Sequence, residues 1–392
     1  MRVVDLKIEG MAFGGKGVGR ENGKAVFVPY TIEDEVVSAE IVREKKQFAE
    51  ADLIEVKERS RHRVEAPCPY FGRCGGCAYQ HIDYDQQLEI KWQQVRDALQ
   101  RIGKFQAVPM RPIIPSHQCY GYRNRITLHV EDGVIGFYRR DSHRLIDIER
   151  CLIAQDELNH DLAQLRSQPN LLDGHYTLRA GGSASPKTML GSAASPPKLS
   201  TRSENAFHHF SQTNDGVANA LRDLIVDLVP PKQSLLVDAY CGAGFFAKAL
   251  LDKFEQVIGI DWDRFAIRAA KENATEKETY IAGDVDLELE RLGVEATVSA
   301  AKVKHAGDTP ATTLIVDPPA TGLTANTRRA ILDLGPSTLI YVSCNPPTLA
   351  RDLKELHDAF TIDSVTPLDM FPQTAEIEVA VHLRAVASDA AA

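Results

Sequence analysis

A cysteine at the end of a predicted buried strand is the residue with the clearest chemical potential in this chain. Cys344 follows the apolar run at residues 339–342 and precedes Asn345-Pro346, which indicates a turn. Because a short β-branched run of this kind predicts a buried strand, we expect the thiol at the carboxyl end of a sheet, where open α/β sheets bind their ligands. A cysteine placed there could act as a nucleophile.

Acidic residues at two places could assist such a nucleophile. Asp317 ends another apolar run, at residues 314–316, and the two prolines after it restrict the local backbone and so the position of its carboxylate. Near the carboxyl end of the chain, Glu378 is the candidate general base, and Glu376 is its rival on the same strand-like segment. A thiol that has added to a ring carbon needs such a base to remove a proton before the thiol can leave.

A glycine turn between two predicted strands indicates a cofactor site. Residues 234–239 form the first strand, Gly242 and Gly244 form the turn, and Asp261 ends the second strand, 19 residues beyond Gly242. Glycines let a ligand approach the start of a helix closely, and a strand-terminal acid can bind ribose hydroxyls. The turn is shorter than the dinucleotide pattern, so the segment resembles class I methyltransferases, which bind S-adenosylmethionine, more than an NAD-binding unit. That resemblance implies that Asp284, after a third strand, holds the adenine.

Three cysteines near the amino end have the spacing of metal ligands. Cys68, Cys74 and Cys77 form a C-x5-C-x2-C pattern, and a fourth ligand would be Cys151 or its rival Cys119. Four thiolates can hold a 4Fe–4S cluster or a tetrahedral zinc ion. The wider first gap favours the iron–sulfur cluster, and we expect a structural role because methyl transfer needs no electrons.

The composition says more about the cellular compartment of the protein than about its function. The chain of 392 residues is 44% hydrophobic and 25% charged, which is ordinary for a globular protein. It has no apolar stretch near the roughly 20 residues that span a membrane. Its seven cysteines, three of them clustered, predict a reducing cytoplasmic compartment. We therefore expect a cytoplasmic protein with no membrane partner, and a monomer.

The charge distribution bears on a nucleic-acid partner. The net charge of −9 is unfavourable for phosphate contact, which needs Lys and Arg. However, residues 1–110 carry 17 Lys+Arg and 17 Asp+Glu, so the acidic excess lies downstream, and a local basic face is sufficient. The candidate RNA contacts are Lys45, Lys46, Arg59, Arg61, Arg63, Arg123, Arg125, Arg139, Arg140 and Arg144.

Three domains are predicted from the pattern of elements. Residues 1–58 contain short alternating strands with glycine-rich turns, which indicates an oligonucleotide-binding type of β-barrel. Residues 59–200 predict a central mixed domain with the cysteine cluster and a Gly/Ser/Pro-rich loop near residues 181–200. Residues 201–392 alternate helices and apolar strands, which predicts an α/β fold with a doubly wound, parallel sheet.

Two elements of the central domain can be predicted individually. A helix from Tyr84 to Ile102 is expected to place four apolar residues in the core: Leu88, Trp92, Val95 and Leu99. Farther on, Asp132-Gly133 lies between two alternating runs and predicts a β-hairpin.

Five motifs taken together resemble one enzyme family. In chain order they are FSQTN at residues 210–214, DAYCGAG at 238–244, DPP at 317–319, SCNP at 343–346 and DMFP at 369–372. In these motifs the chain is similar to the RNA uridine-5-methyltransferase family over nearly its whole length. It resembles most of all the 23S ribosomal-RNA branch, which has an N-terminal TRAM-type barrel and an iron–sulfur domain. The expected fold is then the Rossmann-like sheet of class I methyltransferases, preceded by the barrel and the mixed domain.

The resemblance implies a reaction and a set of site residues. The reaction is S-adenosylmethionine-dependent methylation of carbon 5 of a uridine in RNA, with Cys344 bonded transiently to carbon 6 and Glu378 as the proton acceptor. The residues implied to line the pocket for the cofactor and the target base are Gln212, Tyr240, Asp261, Asp284 and Asp317. The implied ligands of a 4Fe–4S cluster are Cys68, Cys74, Cys77 and Cys151.

Some positions depart from the family pattern and keep alternatives open. Phe245 replaces a usual Asn, Ala320 and Thr321 replace a basic and a small residue, and Gln373 and Glu376 replace two histidines. An RNA-binding assembly factor that has lost catalysis therefore remains an alternative, as does transfer RNA in place of ribosomal RNA. RNA cytosine-5-methyltransferases carry a second cysteine just after the strand-four Asp-x-Pro, and its absence here favours uracil.

Overall fold

The computed structural model describes residues 2–140, 142–169, 171–181, 187–189, 212–302 and 312–386. Most of the predicted loop near residues 181–200 lies outside this part of the chain, as do Phe210 and Ser211 of the FSQTN motif. Within the described residues, no helix is both long and apolar enough to cross a lipid bilayer.

The amino-terminal strands close into the predicted barrel. The strands are β1 (Arg2–Ala12), β2 (Lys16–Glu21), β3 (Lys24–Pro29), β4 (Val36–Glu44) and β5 (Phe48–Glu58), and they are joined in the order β1-β2-β3-β5-β4. In β1, Val4, Leu6 and Ile8 are buried and alternate with exposed residues, because successive side chains of a strand point to opposite faces. The apolar set fills the barrel.

The central elements form a helix and a second, antiparallel sheet. They are α1 (Tyr84–Arg101), β6 (Arg125–Glu131), β7 (Val134–Tyr138), β8 (Leu145–Asp147), α2 (Asp156–Arg166), β9 (Gly174–Arg179) and β10 (Lys187–Met189), and the sheet order is β10-β9-β6-β7-β8. Asp132 and Gly133 have φ angles of 49° and 78°, as a two-residue hairpin turn requires. The predicted hairpin is therefore confirmed.

The carboxyl-terminal elements form a seven-stranded sheet with helices on both faces. They are α3 (Asp215–Leu228), β11 (Gln233–Ala239), α4 (Phe245–Leu250), β12 (Phe254–Asp261), α5 (Arg264–Lys271), β13 (Glu278–Ala282), α6 (Val285–Lys302), β14 (Thr312–Val316), α7 (Ala325–Leu334), β15 (Thr338–Ser343), α8 (Pro346–Leu356), β16 (Phe360–Leu368) and β17 (Glu378–Ala385). The strand order is β13-β12-β11-β14-β15-β17-β16. Helices α3 to α5 pack on one face, and α6 to α8 pack on the other.

The end of this sheet differs from the predicted parallel arrangement. Strands β11 to β15 are parallel, but β17 runs antiparallel to both β15 and β16. The connection between β16 and β17, residues 369–377, contains no helix, and parallel neighbours need a crossover that is usually helical. The chain therefore returns directly, and this short connection lies at the same edge of the sheet as Cys344.

Helix α1 lies against this sheet, although the sequence pattern groups it with the central domain. Val95 and Leu99 are buried as predicted, but Leu88 and Trp92 are only half-buried. The buried face of α1 instead includes the polar residues Gln87, Lys91 and Gln94. The apolar pattern alone could not reveal this, because the partners of these polar groups are far away in sequence.

Candidate active site

A cleft of about 470 Å³ opens at the carboxyl ends of the parallel strands. Six of the seven predicted catalytic and cofactor residues line it: Gln212, Tyr240, Asp261, Asp317, Cys344 and Glu378. Its size is typical of a small-molecule site. The cleft therefore brings together residues that are far apart along the chain.

Cys344 and Glu378 are neighbours because of the strand register. Ser343 of β15 pairs with Val379 of the antiparallel strand β17. Cys344, which follows Ser343, and Glu378, which precedes Val379, therefore lie at the same edge of the sheet. Burial, and after it the Glu378 and Asp317 carboxyl groups, raise the pKa of the Cys344 thiol to about 12. The sulfur is therefore a neutral thiol in the free protein.

The two rival glutamates have different surroundings. Glu378 is only 3% exposed, lines the cleft, and its Oε1 atom is buried without a hydrogen-bond partner among the described residues. Burial first, and then the charges of Asp317 and Glu376, raise the pKa of Glu378 well above its ordinary value. Glu376 is exposed and is not among the residues that line the cleft. The geometry thus favours Glu378 over Glu376 as the group next to the thiol.

Asp317 follows β14, which lies in the sheet between β11, the strand before the glycine turn, and β15, the strand before Cys344. It is half-buried, and its main-chain N–H donates to the carbonyl oxygen of Ala239 at 3.4 Å. Burial, followed by the charge of Asp261, raises the pKa of Asp317 to about 7. Near neutral pH this carboxyl group can therefore exchange a proton with little cost.

The glycine turn joins the first cleft to a second one of about 720 Å³. Asp261 Oδ2 accepts a hydrogen bond of 2.8 Å from the Gly242 N–H. Gly244 has a φ of 85°, and a Cβ atom there would lie 2.7 Å from the Tyr280 hydroxyl, so that only glycine fits. Tyr240 also has a positive φ, 67°, a strained conformation that is found mainly at functional sites.

The structure places Asp284 and Phe245 apart from the catalytic cleft. Asp284 is exposed, and its carboxylate accepts hydrogen bonds from the N–H groups of Asp286 and Leu287 at the start of α6. It lines neither cleft, so its predicted contact with adenine stays a prediction. Phe245 lies in the second cleft and is 38% exposed.

Other departures from the family pattern have local partners here. The guanidinium of Arg351 in α8 donates to the carbonyl oxygen of Thr321 at 3.0 Å, and it thus brings a basic group to the loop that holds Ala320. Gln373 is buried and exchanges two hydrogen bonds of 3.1 Å with the side-chain amide of Gln87 in α1. These contacts show how the loops keep their conformation without the usual side chains.

Three cleft residues add to the predicted site. Arg123 and Arg125, proposed from their charge as RNA contacts, both line the catalytic cleft. Trp262 was missed by the sequence analysis, although it directly follows Asp261; it lines the same cleft and is 74% exposed. An aromatic residue just after a strand-terminal acid is the signal that could have found it.

A second candidate site is formed by the cysteines. Cys68, Cys74, Cys77 and Cys151 all line one cavity of about 80 Å³, and Cys119 does not. Burial raises the pKa of Cys74 to about 11 and that of Cys77 to about 12. Among the residues that the structure describes, however, no group of three or more His, Cys, Asp or Glu side chains is arranged to hold a metal ion.

Comparisons with known proteins agree with this architecture. Residues 199–386 match the family model described as tRNA (Uracil-5-)-methyltransferase, and residues 1–54 match the TRAM domain. An uncharacterized RNA methyltransferase of Halalkalibacterium halodurans is 31% identical over 96% of this chain and 95% of its own length. One of Synechocystis sp. is 30% identical, over 98% of this chain and 96% of its own.

A solved structure shares the fold along almost the whole chain. The Pyrococcus abyssi tRNA (uracil-54, C5)-methyltransferase, solved with S-adenosyl-L-homocysteine, superposes with a TM-score of 0.69 at 24% identity, and the match covers 97% of this chain and 100% of that one. The family matches and the shared fold thus define an RNA methyltransferase with an N-terminal TRAM barrel. The chain belongs to the RNA uracil-5-methyltransferase family.

Proposed function

We propose that this protein methylates carbon 5 of one uridine in 23S ribosomal RNA through a transient bond between Cys344 Sγ and carbon 6 of the ring. The observation that carries the proposal is the pairing of Ser343 with Val379, which sets the Cys344 thiol beside the buried Glu378 carboxyl group in one cleft. The target uridine would leave its stack to enter this cleft, because chemistry on the ring requires access to it.

The proposed steps assign one task to each side chain. The Cys344 thiol gives its proton to water in the open cleft, and Sγ bonds to carbon 6 while the ring double-bond electrons move toward carbon 5. Carbon 5 would then take the methyl group that bound S-adenosylmethionine supplies, as the sulfonium–methyl bond breaks and S-adenosylhomocysteine is left. The Glu378 carboxylate then accepts the carbon-5 proton, the ring double bond re-forms, and the electrons of the Sγ–C6 bond return to sulfur. Covalent catalysis of this kind replaces one difficult step by easier ones.

The remaining cleft residues support uracil as the target base and S-adenosylmethionine as the methyl donor. In the proposed site, Asp261 and the glycine turn would bind the ribose and the start of the cofactor, and Gln212, Tyr240 and Asp317 line the same cleft as the thiol. Cys344 is the only cysteine among the residues lining the catalytic cleft. The second thiol typical of the cytosine enzymes is therefore lacking at this place, which supports uracil.

The adduct can be trapped, because fluorine at carbon 5 cannot be removed as a proton. Incubation of the protein with S-adenosylmethionine and RNA containing 5-fluorouridine should give a protein–RNA adduct that survives denaturing electrophoresis. Cys344→Ala should abolish it. With ordinary RNA, Glu378→Gln should lower turnover by about 10²–10⁴, whereas the control Glu376→Gln should stay near wild type. No adduct, or an undiminished one with Cys344→Ala, would overturn the mechanism.

Ribosomal RNA is the proposed substrate, and transfer RNA is the second candidate. The combination of the barrel with four clustered cysteines resembles the ribosomal branch and supports the first. The similarity in fold to an archaeal tRNA enzyme supports the second. Mass spectrometry of 5-methyluridine in ribosomal and transfer RNA fractions, from cells with and without this protein, decides between them. Loss of the nucleoside from neither fraction would favour an RNA-binding factor without catalysis.

We also propose that Cys68, Cys74, Cys77 and Cys151 hold a 4Fe–4S cluster with a structural role. Two observations support it: the four thiols line one cavity, and the five-residue gap between Cys68 and Cys74 is wider than the gap usual in zinc sites. A bound cationic cluster would stabilise thiolates that burial now disfavours. The seven cysteines, all free thiols, fit the reducing cytoplasm in which such clusters persist. Anaerobic purification should give about four iron atoms and four sulfides per chain, and zinc instead would refute the cluster.

A further inference from the structure

Among the residues that the structure describes, the central five-stranded sheet has one covered face and one open face. Ile126, Leu128 and Val130 of β6 are buried and form one core cluster with residues of α2 and β9. Because side chains alternate along a strand, the residues between them point the other way. We call this second side of β6, β7 and β9 the open face.

The open face carries matched residues on neighbouring strands. Three cross-strand pairs follow one another: Arg125 with Arg179, Thr127 with Thr177, and His129 with His175. The two threonine hydroxyls lie 3.0 Å apart, and the two imidazole rings lie 4.6 Å apart between their centres. One end of the face is therefore cationic, its middle is hydroxylic, and its other end is aromatic.

Two further rings enlarge the aromatic end. The Tyr138 ring lies 4.1 Å from the His129 ring at an interplanar angle of 38°, and His143 lies 5.7 Å from Tyr138. His175 and His143 are exposed, whereas His129 and Tyr138 are half-exposed. Glu131 is the acid nearest to this group, and it accepts a hydrogen bond of 2.6 Å from the Tyr138 hydroxyl.

The open face is continuous with the catalytic cleft. Arg125, its first residue on β6, also lines that cleft together with Arg123 and Cys344. From Arg125 the pairs extend away from the cleft by roughly 7 Å each, since a strand rises about 3.4 Å per residue. The whole ladder thus spans a distance comparable to two or three nucleotides of an extended strand.

We propose that the open face binds the single-stranded RNA next to the target uridine, with phosphates near Arg125 and Arg179 and bases stacked on His129, Tyr138 and His175. The proposal rests on the proposed function, which places the target uridine in the adjoining cleft. A sheet that presents aromatic rings beside cationic groups is a recurring platform for unpaired bases. Duplex RNA fits it poorly, because paired bases have no free faces to stack.

The test measures RNA binding directly and so does not depend on catalysis. The probe is a fluorescein-labelled single-stranded RNA of about twelve nucleotides with one central uridine, followed by anisotropy. We expect Tyr138→Ala and His175→Ala each to weaken binding about tenfold, because a stacked base contributes that much or more. Tyr138→Phe keeps the ring and should bind nearly as wild type. His160→Ala, an exposed histidine on α2, is the matched control and should have no effect.

A second measurement uses the unaltered protein and so does not depend on the folding of a variant. Photo-crosslinking of RNA with 4-thiouridine beside the target uridine should label peptides of β6, β7 or β9. Labels confined to other segments, or unchanged affinity in both alanine variants, would overturn the proposal, as would equal binding of a fully paired duplex.

The outcomes also separate this proposal from the proposed function. If the wild-type protein forms the 5-fluorouridine adduct but the alanine variants bind RNA normally, the open face has no such role and the mechanism stands. If the variants lose affinity while no adduct ever forms, the RNA surface stands and the proposed reaction fails.

Discussion

Cys344, Glu378 and Asp317 share a cleft in which burial raises the pKa of each. The proposed reaction needs a thiolate and a carboxylate, but the raised pKa values of Cys344 and Glu378 disfavour these charged forms in the free protein. Burial is the main cause, and for Cys344 and Glu378 the negative charges of neighbouring carboxyl groups add to it. Binding of a cationic methyl donor beside them would favour ionisation. The free site is therefore protected against unwanted reactions of a thiolate.

This arrangement predicts how activity depends on pH. Because the pKa values of Cys344 and Glu378 are raised, protons must be lost before catalysis, and kcat/KM should rise steadily between about pH 6 and pH 9. Glu376→Gln removes a neighbouring charge that helps to raise both values and should shift the rising profile modestly to lower pH. Initial rates with saturating methyl donor measure this. A profile that is flat across the range would contradict it.

At the scale of secondary-structure elements, the sequence predicts an element correctly where residues close to it in the chain determine its conformation. The strand before Cys344, the glycine turn and the Asp132-Gly133 hairpin all follow from local patterns. The antiparallel β17, the buried polar face of α1 and the exposed Trp262 do not, because each depends on contacts between distant segments. For the same reason the choice between Glu378 and Glu376 needs the register of β15 with β17.

The connection between β16 and β17 is held from outside the sheet. Lys91 of α1 donates to Asp369 Oδ1 at 2.6 Å and to the Phe371 carbonyl oxygen at 2.9 Å, and both charged side chains are fully buried. The Tyr122 hydroxyl donates to the Pro372 carbonyl oxygen at 2.9 Å. Since Phe371 lines the catalytic cleft, helix α1 positions part of the active site.

Loss of this buried ion pair should be costly. Lys91→Met leaves the Asp369 charge buried without a partner and should lower the free energy of unfolding by about 3–5 kcal/mol. The double variant Lys91→Met/Asp369→Leu should recover much of that loss. Arg101→Met, on an exposed residue of the same helix that pairs with Asp97, should change it by less than about 1 kcal/mol. Urea unfolding measures all three. Equal effects of Lys91→Met and Arg101→Met would show that the buried ion pair contributes no more to the free energy of unfolding than the exposed one.

For the molecule as a whole, charge is distributed unevenly. The protein carries a net charge of −9, yet Arg123, Arg125 and Arg179 lie at the cleft and on the open face beside it. We therefore expect RNA contact at this local basic group, although the chain as a whole carries an acidic excess. This combination favours one orientation of the RNA over many nonspecific ones.

Added salt should therefore weaken RNA binding, and the small number of arginine–phosphate contacts should determine by how much. If three arginines contact phosphates, the affinity for single-stranded RNA should fall roughly twentyfold between about 50 and 200 mM NaCl, since each contact contributes about 0.7 to the logarithmic slope. Arg179→Gln removes one contact and should reduce that slope by about 0.7. The affinity of Arg179→Gln for S-adenosylhomocysteine should differ little from that of the wild type. Titrations at several salt concentrations test this, and a slope near zero would show that phosphate contacts are absent.

The position of β17 between β15 and β16 has a consequence for biosynthesis. This strand is translated after both of its neighbours, yet it inserts between them and brings Glu378 to the thiol. During translation the sheet must stay open at that place, with two unpaired strand edges exposed to aggregation. A nascent chain that stalls before residue 378 would hold Cys344 without Glu378, so the cleft is complete only after β17 has been synthesised and has inserted between its neighbours.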